Sequence, residues 1–308
     1  MASSFDISAL PEYVKTNTDT LLAKAVLGAK TASLINIQEG VKGNTKINLL
    51  TTSVLFGNGS ACGFSKAGSS AFTQREIVPG LIKVNMTFCD KELVKTYASE
   101  LVRVAAGQAR LPFEEQIIAD VVKNVQKANE VAIWQGNKDV SNTNENTNKF
   151  DGFLTILAGE NSVVSVDYSD ASATTATKKV NAMIASIPAE VASMDDVVIF
   201  CSPEFFNAYI QELVASNLFH YNPEDQANGE IKIPGFNIKL VSVGGLAGQE
   251  DTMVAGSLSN FYYGTDIAGD ETAFDLWYSK DNQEFRLAIN FSAGVQVAFP
   301  DQVVVGKA

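Results

Sequence analysis

From residue 81 to 88 the sequence LIKVNMTF alternates: Ile82, Val84, Met86 and Phe88 are apolar, and Lys83, Asn85 and Thr87 between them are polar. A two-residue period predicts a strand with one buried face and one in water. The period then changes. Asp90 stands where an N-cap belongs, and KELVKTYASELVRVAAGQA behind it reads as a helix ending near Gly107. From Pro112 onward Ile117, Ile118, Val121, Val122, Val125, Ala128 and Ala132 recur at helical spacing, with Glu114 and Glu115 at the positive end of the helix dipole. Through Trp134 this predicts a helix of about 35 Å, ended by Gly136.

Earlier in the chain, Asn17 to Lys30 (NTDTLLAKAVLGAK) carries apolar residues at helical spacing and predicts a short helix within an otherwise irregular first segment. ASLINIQEG and TKINLLTTSVLF are β-rich, and GNGSACGFSKAGSS behind them has no apolar period, as expected of the tip of a long excursion. NKDVSNTNENTNK, after the long helix, reads as an exposed loop.

The next stretch has α/β texture: a helix in TATKKVNAMIASI, a strand in DVVIFC, and a helix capped by Ser202 and opened by Pro203. The remainder is mostly strand. QEFRLAINFSAGVQVAFPDQVVV reads as two strands broken at Gly294 and closed by a proline. Interleaved helices and β-dominated blocks predict an α+β fold rather than a regular doubly wound sheet.

The chain has 308 residues, 46% of them hydrophobic, enough for a sizeable core. A formal net charge of -12 argues against a surface that grips nucleic acid through clustered Lys and Arg. Asp6, Glu12 and Lys15 interrupt any apolar run near the start, so no signal peptide is expected and the mature chain is expected to begin at Met1. No membrane-spanning run is found either. Cys62, Cys89 and Cys201 form no CxxC pair and read as small buried hydrophobes of a reducing compartment.

Catalytic vocabulary is sparse. His220 is the sole histidine, which rules out a multi-histidine metal site. Gly57, Gly59 and Gly63 miss the dinucleotide-binding spacing by one, and Asp266, Asp270 and Glu271 do not match a calcium loop. The neighbouring carboxylates Glu114/Glu115, Asp195/Asp196 and Glu250/Asp251 are accounted for by helix dipoles and solvent. No cofactor and no metal ion are expected.

In the order of its parts the chain resembles the major capsid proteins of tailed bacteriophages with the HK97 fold. WQGNKDVSNTNENTNKFDGFL is similar to the family's signature behind its long helix, closing on Asp151-Gly152-Phe153-Leu154. DVVIFCSPEFFNAYIQEL stands where the family places a strand, a polar-Pro turn and a helix. MVAGSLSNFYYGTD resembles a further family pattern, with Gly256 at the turn.

The resemblance implies an N-terminal arm (1–35), a hairpin called the E-loop (36–89), a P domain with a spine helix and following loop (90–150), a mainly axial (A) domain (151–252), and P-domain strands to the C-terminus (253–308). It further implies a non-enzymatic shell subunit that self-associates into hexamers and pentamers around double-stranded DNA. A portal, with or without scaffolding or decoration proteins, is expected as partner, with no membrane, and the virion as location after assembly in the host cytoplasm.

Lys66, Arg75 and Glu76 are the E-loop residues expected to contact a neighbouring subunit. Two other readings stand beside this one. The same fold serves encapsulin-like nanocompartments. A cytosolic α/β enzyme would instead use Cys201 as nucleophile, with His220 nearby.

Overall fold

A computed structural model describes residues 9–56, 68–89, 113–139, 141–168, 175–216, 229–266 and 274–307, with the backbone alone at 9–13, 16, 19 and 113–116. In chain order its elements begin with helices α1 (Ala9–Leu27) and α2 (Lys30–Leu34) and strands β1 (Asn36–Glu39), β2 (Thr45–Val54), β3 (Gly68–Ile77) and β4 (Gly80–Cys89). Helix α3 (Phe113–Gln135), helix α4 (Phe153–Ala158), β5 (Val164–Asp167), α5 (Ala176–Ser186), α6 (Ala189–Ala192), β6 (Val197–Cys201) and α7 (Pro203–Ala215) follow. The last part is strand: β7 (Glu230–Lys232), β8 (Lys239–Ser242), β9 (Met253–Ser257), β10 (Phe261–Asp266), β11 (Phe274–Ser279), β12 (Glu284–Val297) and β13 (Val304–Lys307). The predicted helix behind Asp90 and the glycine-rich tip lie outside the described residues.

Three sheets result: a five-stranded one built on β12, a six-stranded one in the order β5-β13-β9-β6-β8-β7, and the isolated hairpin β2-β3. β6 (VVIFC) is buried at every position because it is sandwiched. Val198 and Phe200 face the core shared with α3 and the five-stranded sheet, whereas Val197, Ile199 and Cys201 face a second core under α5 and α7. Ser202 caps α7 as expected, its hydroxyl accepting from Phe205 N at 3.1 Å.

The two sheets meet at a closed ring of aromatics from four elements. Trp134 packs on Phe153 (5.4 Å) and Phe200 (5.0 Å), and both of these pack edge-on against Phe261. The loop after α3 is pinched at its neck to bring Phe153 there, Gly152 N donating to Gly136 O at 2.8 Å. A Cβ on Gly136 would lie 2.5 Å from Phe150 O, and one on Gly152 would lie 2.6 Å from Gly136 N, so only glycine admits this approach. The signature quoted from the sequence is thus a packing device.

Two sequence expectations are corrected. The first concerns the N-terminal helix, which is longer than predicted: the Thr and Asn residues that mark its start at Asn17 in the sequence sit inside α1, where Thr18 donates to Val14 O at 2.9 Å, four residues back. Val14, Leu21, Leu22, Ala25 and Val26 are buried against the core, so residues 9–34 are not an irregular arm. One face of α3 holds the break between α1 and α2, with Gln126 donating to Lys24 O and Asn129 to Val26 O. Both oxygens of the buried Glu130 accept from Thr31, at N (3.0 Å) and Oγ1 (2.5 Å), and Trp134 donates to the same hydroxyl at 2.7 Å.

The second correction concerns Gly294, which does not break the C-terminal strand. β12 runs unbroken for 14 residues, paired with β4 on one side and with β11 and then β10 on the other. Gly294 is the direct partner of Gly264 on β10. Their missing side chains leave a notch: a Cβ on Gly294 would lie 3.0 Å from Pro79 Cα, and one on Gly264 3.0 Å from Ile77 Cγ2. The chain crosses the sheet there as it leaves the hairpin.

Candidate functional site

The notch roots the hairpin. Ile77 fills it, and with Val41, Ile47, Leu49 and Ala298 it forms a small buried cluster separate from the two main cores. Ten residues per strand carry the hairpin about 33 Å, and only this first part is buried. Beyond Leu49 every described residue of β2 is exposed. Leu50 stands directly opposite Phe72, which is 79% exposed, and Val54, Leu55 and the fully exposed Phe56 continue toward the tip.

A two-stranded ribbon is marginal in water by itself. This one is braced at the root by polar contacts. Arg75 pairs with Glu160, behind α4, and reaches Gln296 Oε1 at 3.4 Å. Gln296 in turn donates to Glu76 O at 2.7 Å. Of the three residues singled out from the sequence, Arg75 is therefore engaged within its own chain, Glu76 is exposed opposite Lys46, and Lys66 lies outside the described residues. Glu160 and Gln296 were not legible as hairpin braces, since nothing local marks a partner some 85 or 220 residues away in sequence.

A second open feature lies along β4. Its inward residues Ile82, Val84 and Phe88 are only half-buried against the core. Between this strand and α3 is a cleft of about 330 Å3, walled by Ile82, Val84, Met86, Val121, Val125 and Phe291, with Asn129 also in its lining. Lys83, Glu145 and Lys149 supply charge there.

The chemical alternatives fare differently. Burial pushes the Cys201 thiol well up, with Lys30 opposing only in part. A buried thiol of that kind is a poor nucleophile, which weighs against Cys201 as a catalytic residue; His220 lies outside the described residues. Asp196, pushed up by burial but held below the ordinary range by hydrogen bonds from Ser257 and Ser259, fastens β6 to the turn after β9. Asp251 pairs with Lys179, and Asp266 lies 3.8 Å from Lys42, while Asp270 and Glu271 lie outside the described residues. Among the described residues no three His, Cys, Asp or Glu side chains gather as a metal site requires, and no helix is long and apolar enough to cross a membrane.

No family model matches the chain, and no curated protein matches it in sequence. In three dimensions it is similar to a chain of the satellite phage P4 procapsid that includes the size determination protein, with a TM-score of 0.60 at 13% identity over 100% of this chain and 92% of that one. It is likewise similar to the capsid of the empty GTA particle, with a TM-score of 0.61 at 12% identity over 92% and 89% of the two chains. A virus-like particle from Pyrococcus furiosus gives a TM-score of 0.53 at 8% identity, over 94% and 96%. Likeness at such low identity is likeness of fold. The chain has the α+β, HK97-like capsid fold expected from the order of its parts.

Proposed function

We propose that the chain is a shell-forming subunit, the major capsid protein of a tailed phage, whose activity is self-association into hexamers and pentamers of an icosahedral head around double-stranded DNA. The hairpin carries this reading. It holds Leu50, Phe72 and Phe56 away from the chain's own core, an arrangement that is costly for a lone subunit and useful in an assembly where a neighbour covers them. The shared fold of shell proteins over the whole chain supports it. Phage capsid chains recur among the similar structures, the satellite phage P4 procapsid chain at a TM-score of 0.60 against 0.53 for the Pyrococcus furiosus particle, and this favours a phage head over a nanocompartment.

In this reading the hairpin is the E-loop, α3 the spine helix, and the six-stranded sheet with α5 and α7 the axial domain. Arg75 anchors the E-loop to its own subunit, while Glu76 and Lys66 remain the charged candidates for contact with a neighbour. The net charge of -12 suits a wall that encloses DNA without gripping it. Portal, scaffolding or decoration proteins would join the same particle, assembled in the host cytoplasm. Negative-stain electron microscopy of the purified chain, alone and with a co-expressed scaffold candidate, tests the proposal. Closed shells or six- and five-membered rings support it; a monodisperse monomer under every condition overturns it.

A further inference from the structure

We propose that the cleft between β4 and α3 is a docking site for the carboxyl terminus of a different polypeptide, one whose last residue is large and apolar. The inference goes beyond the shell reading and does not depend on it. Ile82 and Val84 line the cleft from one face of β4 and Lys83 from the other, so the cleft lies along the edge of the strand rather than under it. β4 pairs with β12 on one side and, among the described strands, with none on the other. Its outer backbone groups are open to an extended segment, an arrangement in which main-chain hydrogen bonds supply affinity and a side-chain pocket supplies specificity.

The cleft is charged as well as apolar, and the charge has a sign. Lys83 and Lys149 stand against Glu145 in its lining, a local positive excess in a chain whose net charge is -12. That excess fits one carboxylate. Deeper in the lining is Asn129, 3% exposed, whose Nδ2 donates to Val26 O and to the Tyr263 hydroxyl, both at 2.9 Å. A backbone carbonyl can only accept, so the amide orientation is fixed and Oδ1 is left buried without a partner. Whatever fills the cleft therefore has to bring a hydrogen-bond donor.

The last residue of a polypeptide carries an apolar side chain, an amide N–H and a free carboxylate together, and a segment in mid-chain lacks the last of these. At about 330 Å3 the cleft holds one or two large side chains, not a folded surface. This chain's own β13 is held in the six-stranded sheet, where residues 304–306 pair with β5 on one side and β9 on the other. The occupant is thus the end of a different chain.

The test uses the full chain and four fluorescein-labelled peptides, Gly-Ser-Gly-Thr-Val followed by Leu, Ile, Phe or Met, each as the free acid and as the C-terminal amide, with binding read by fluorescence anisotropy. At least one free acid is expected to bind, and its amide at least about tenfold more weakly. The double variant Lys83→Gln/Lys149→Gln, which changes two exposed side chains, is expected to bring the acid down to the affinity of the amide. Ala128→Trp, which fills the cleft from the helix side, is expected to abolish binding with an unchanged melting temperature. Acid and amide bound alike by wild type, no binding of any peptide, or binding untouched in the lysine double variant each overturns the assignment. None of these results bears on self-association, so the shell reading stands or falls separately.

Discussion

Leu50 and Phe72 face each other across the hairpin as direct strand partners, and both are exposed. A cross-strand apolar pair contributes about 0.2–1 kcal/mol within one chain. That is too little to explain two large hydrophobes held in water.

Gly294 is a point at which the root can be disturbed without touching the hairpin itself. In Gly294→Ala the new methyl meets Pro79 Cα and Val78 O, both backbone, at 3.0 Å, so the crossing segment must shift. Overpacking of this kind costs about 1–3 kcal/mol. Urea denaturation should show that loss, and limited proteolysis should show faster cleavage within β2 and β3 than in wild type.

The Arg75 brace predicts a different signature. Both partners are partly exposed, so the pair contributes no more than about 1 kcal/mol to global stability. In Arg75→Met the global melting point should change little, while amide exchange of β2 and β3 accelerates. Unchanged exchange there would remove Arg75 from its anchoring role.

Glu130 makes stability depend on pH with an unusual sign. Burial pushes its carboxyl above the ordinary value, and the hydrogen bonds from Thr31 and the charge of Lys30 return only part of the shift. Since the folded value is the higher, the unfolded chain binds fewer protons between the two. Glu130's contribution is therefore largest below its unfolded value and is lost as pH rises through the folded one. Stability of wild type relative to Glu130→Gln should fall as pH rises from the ordinary glutamate range upward in urea titrations. A constant difference across that range contradicts the assignment.

Thiol chemistry separates the shell reading from the enzyme reading. Cys89, read from the sequence as a buried hydrophobe, is instead exposed at the end of β4, and Cys201 is buried with its thiol pushed up. Iodoacetamide at neutral pH should label Cys89 in the native protein and reach Cys201 only after denaturation. Rapid native labelling of Cys201 would revive the enzyme.

What the sequence made legible follows from how local each signal is. The alternation at Ile82 to Phe88, the stripe from Ile118 to Ala132 and the Ser202-Pro203 cap each report on a few neighbouring residues, and each element lies where expected. Gly294 misled because a glycine inside a strand signals either a break or a close approach. Its partner Gly264, thirty residues earlier in the sequence, decides between them. The start of α1 was hidden by Asn17 and Thr18, whose preference for caps is overridden by burial of Val14 and Leu21 on either side. The hairpin was visible as a β-rich excursion. The Arg75–Glu160 pair and the cleft against α3 were not, since both are made by residues far apart in sequence.

Sedimentation velocity on wild type and on the Leu50→Glu/Phe72→Glu double variant tests the central claim most directly. Both positions are exposed in the single chain, so the variant should keep the wild-type melting temperature within the small range of surface substitutions, about 0.5 kcal/mol each. Under conditions in which wild type sediments as closed shells, the variant is predicted to stay a folded monomer. Equal assembly of the two proteins would contradict the account.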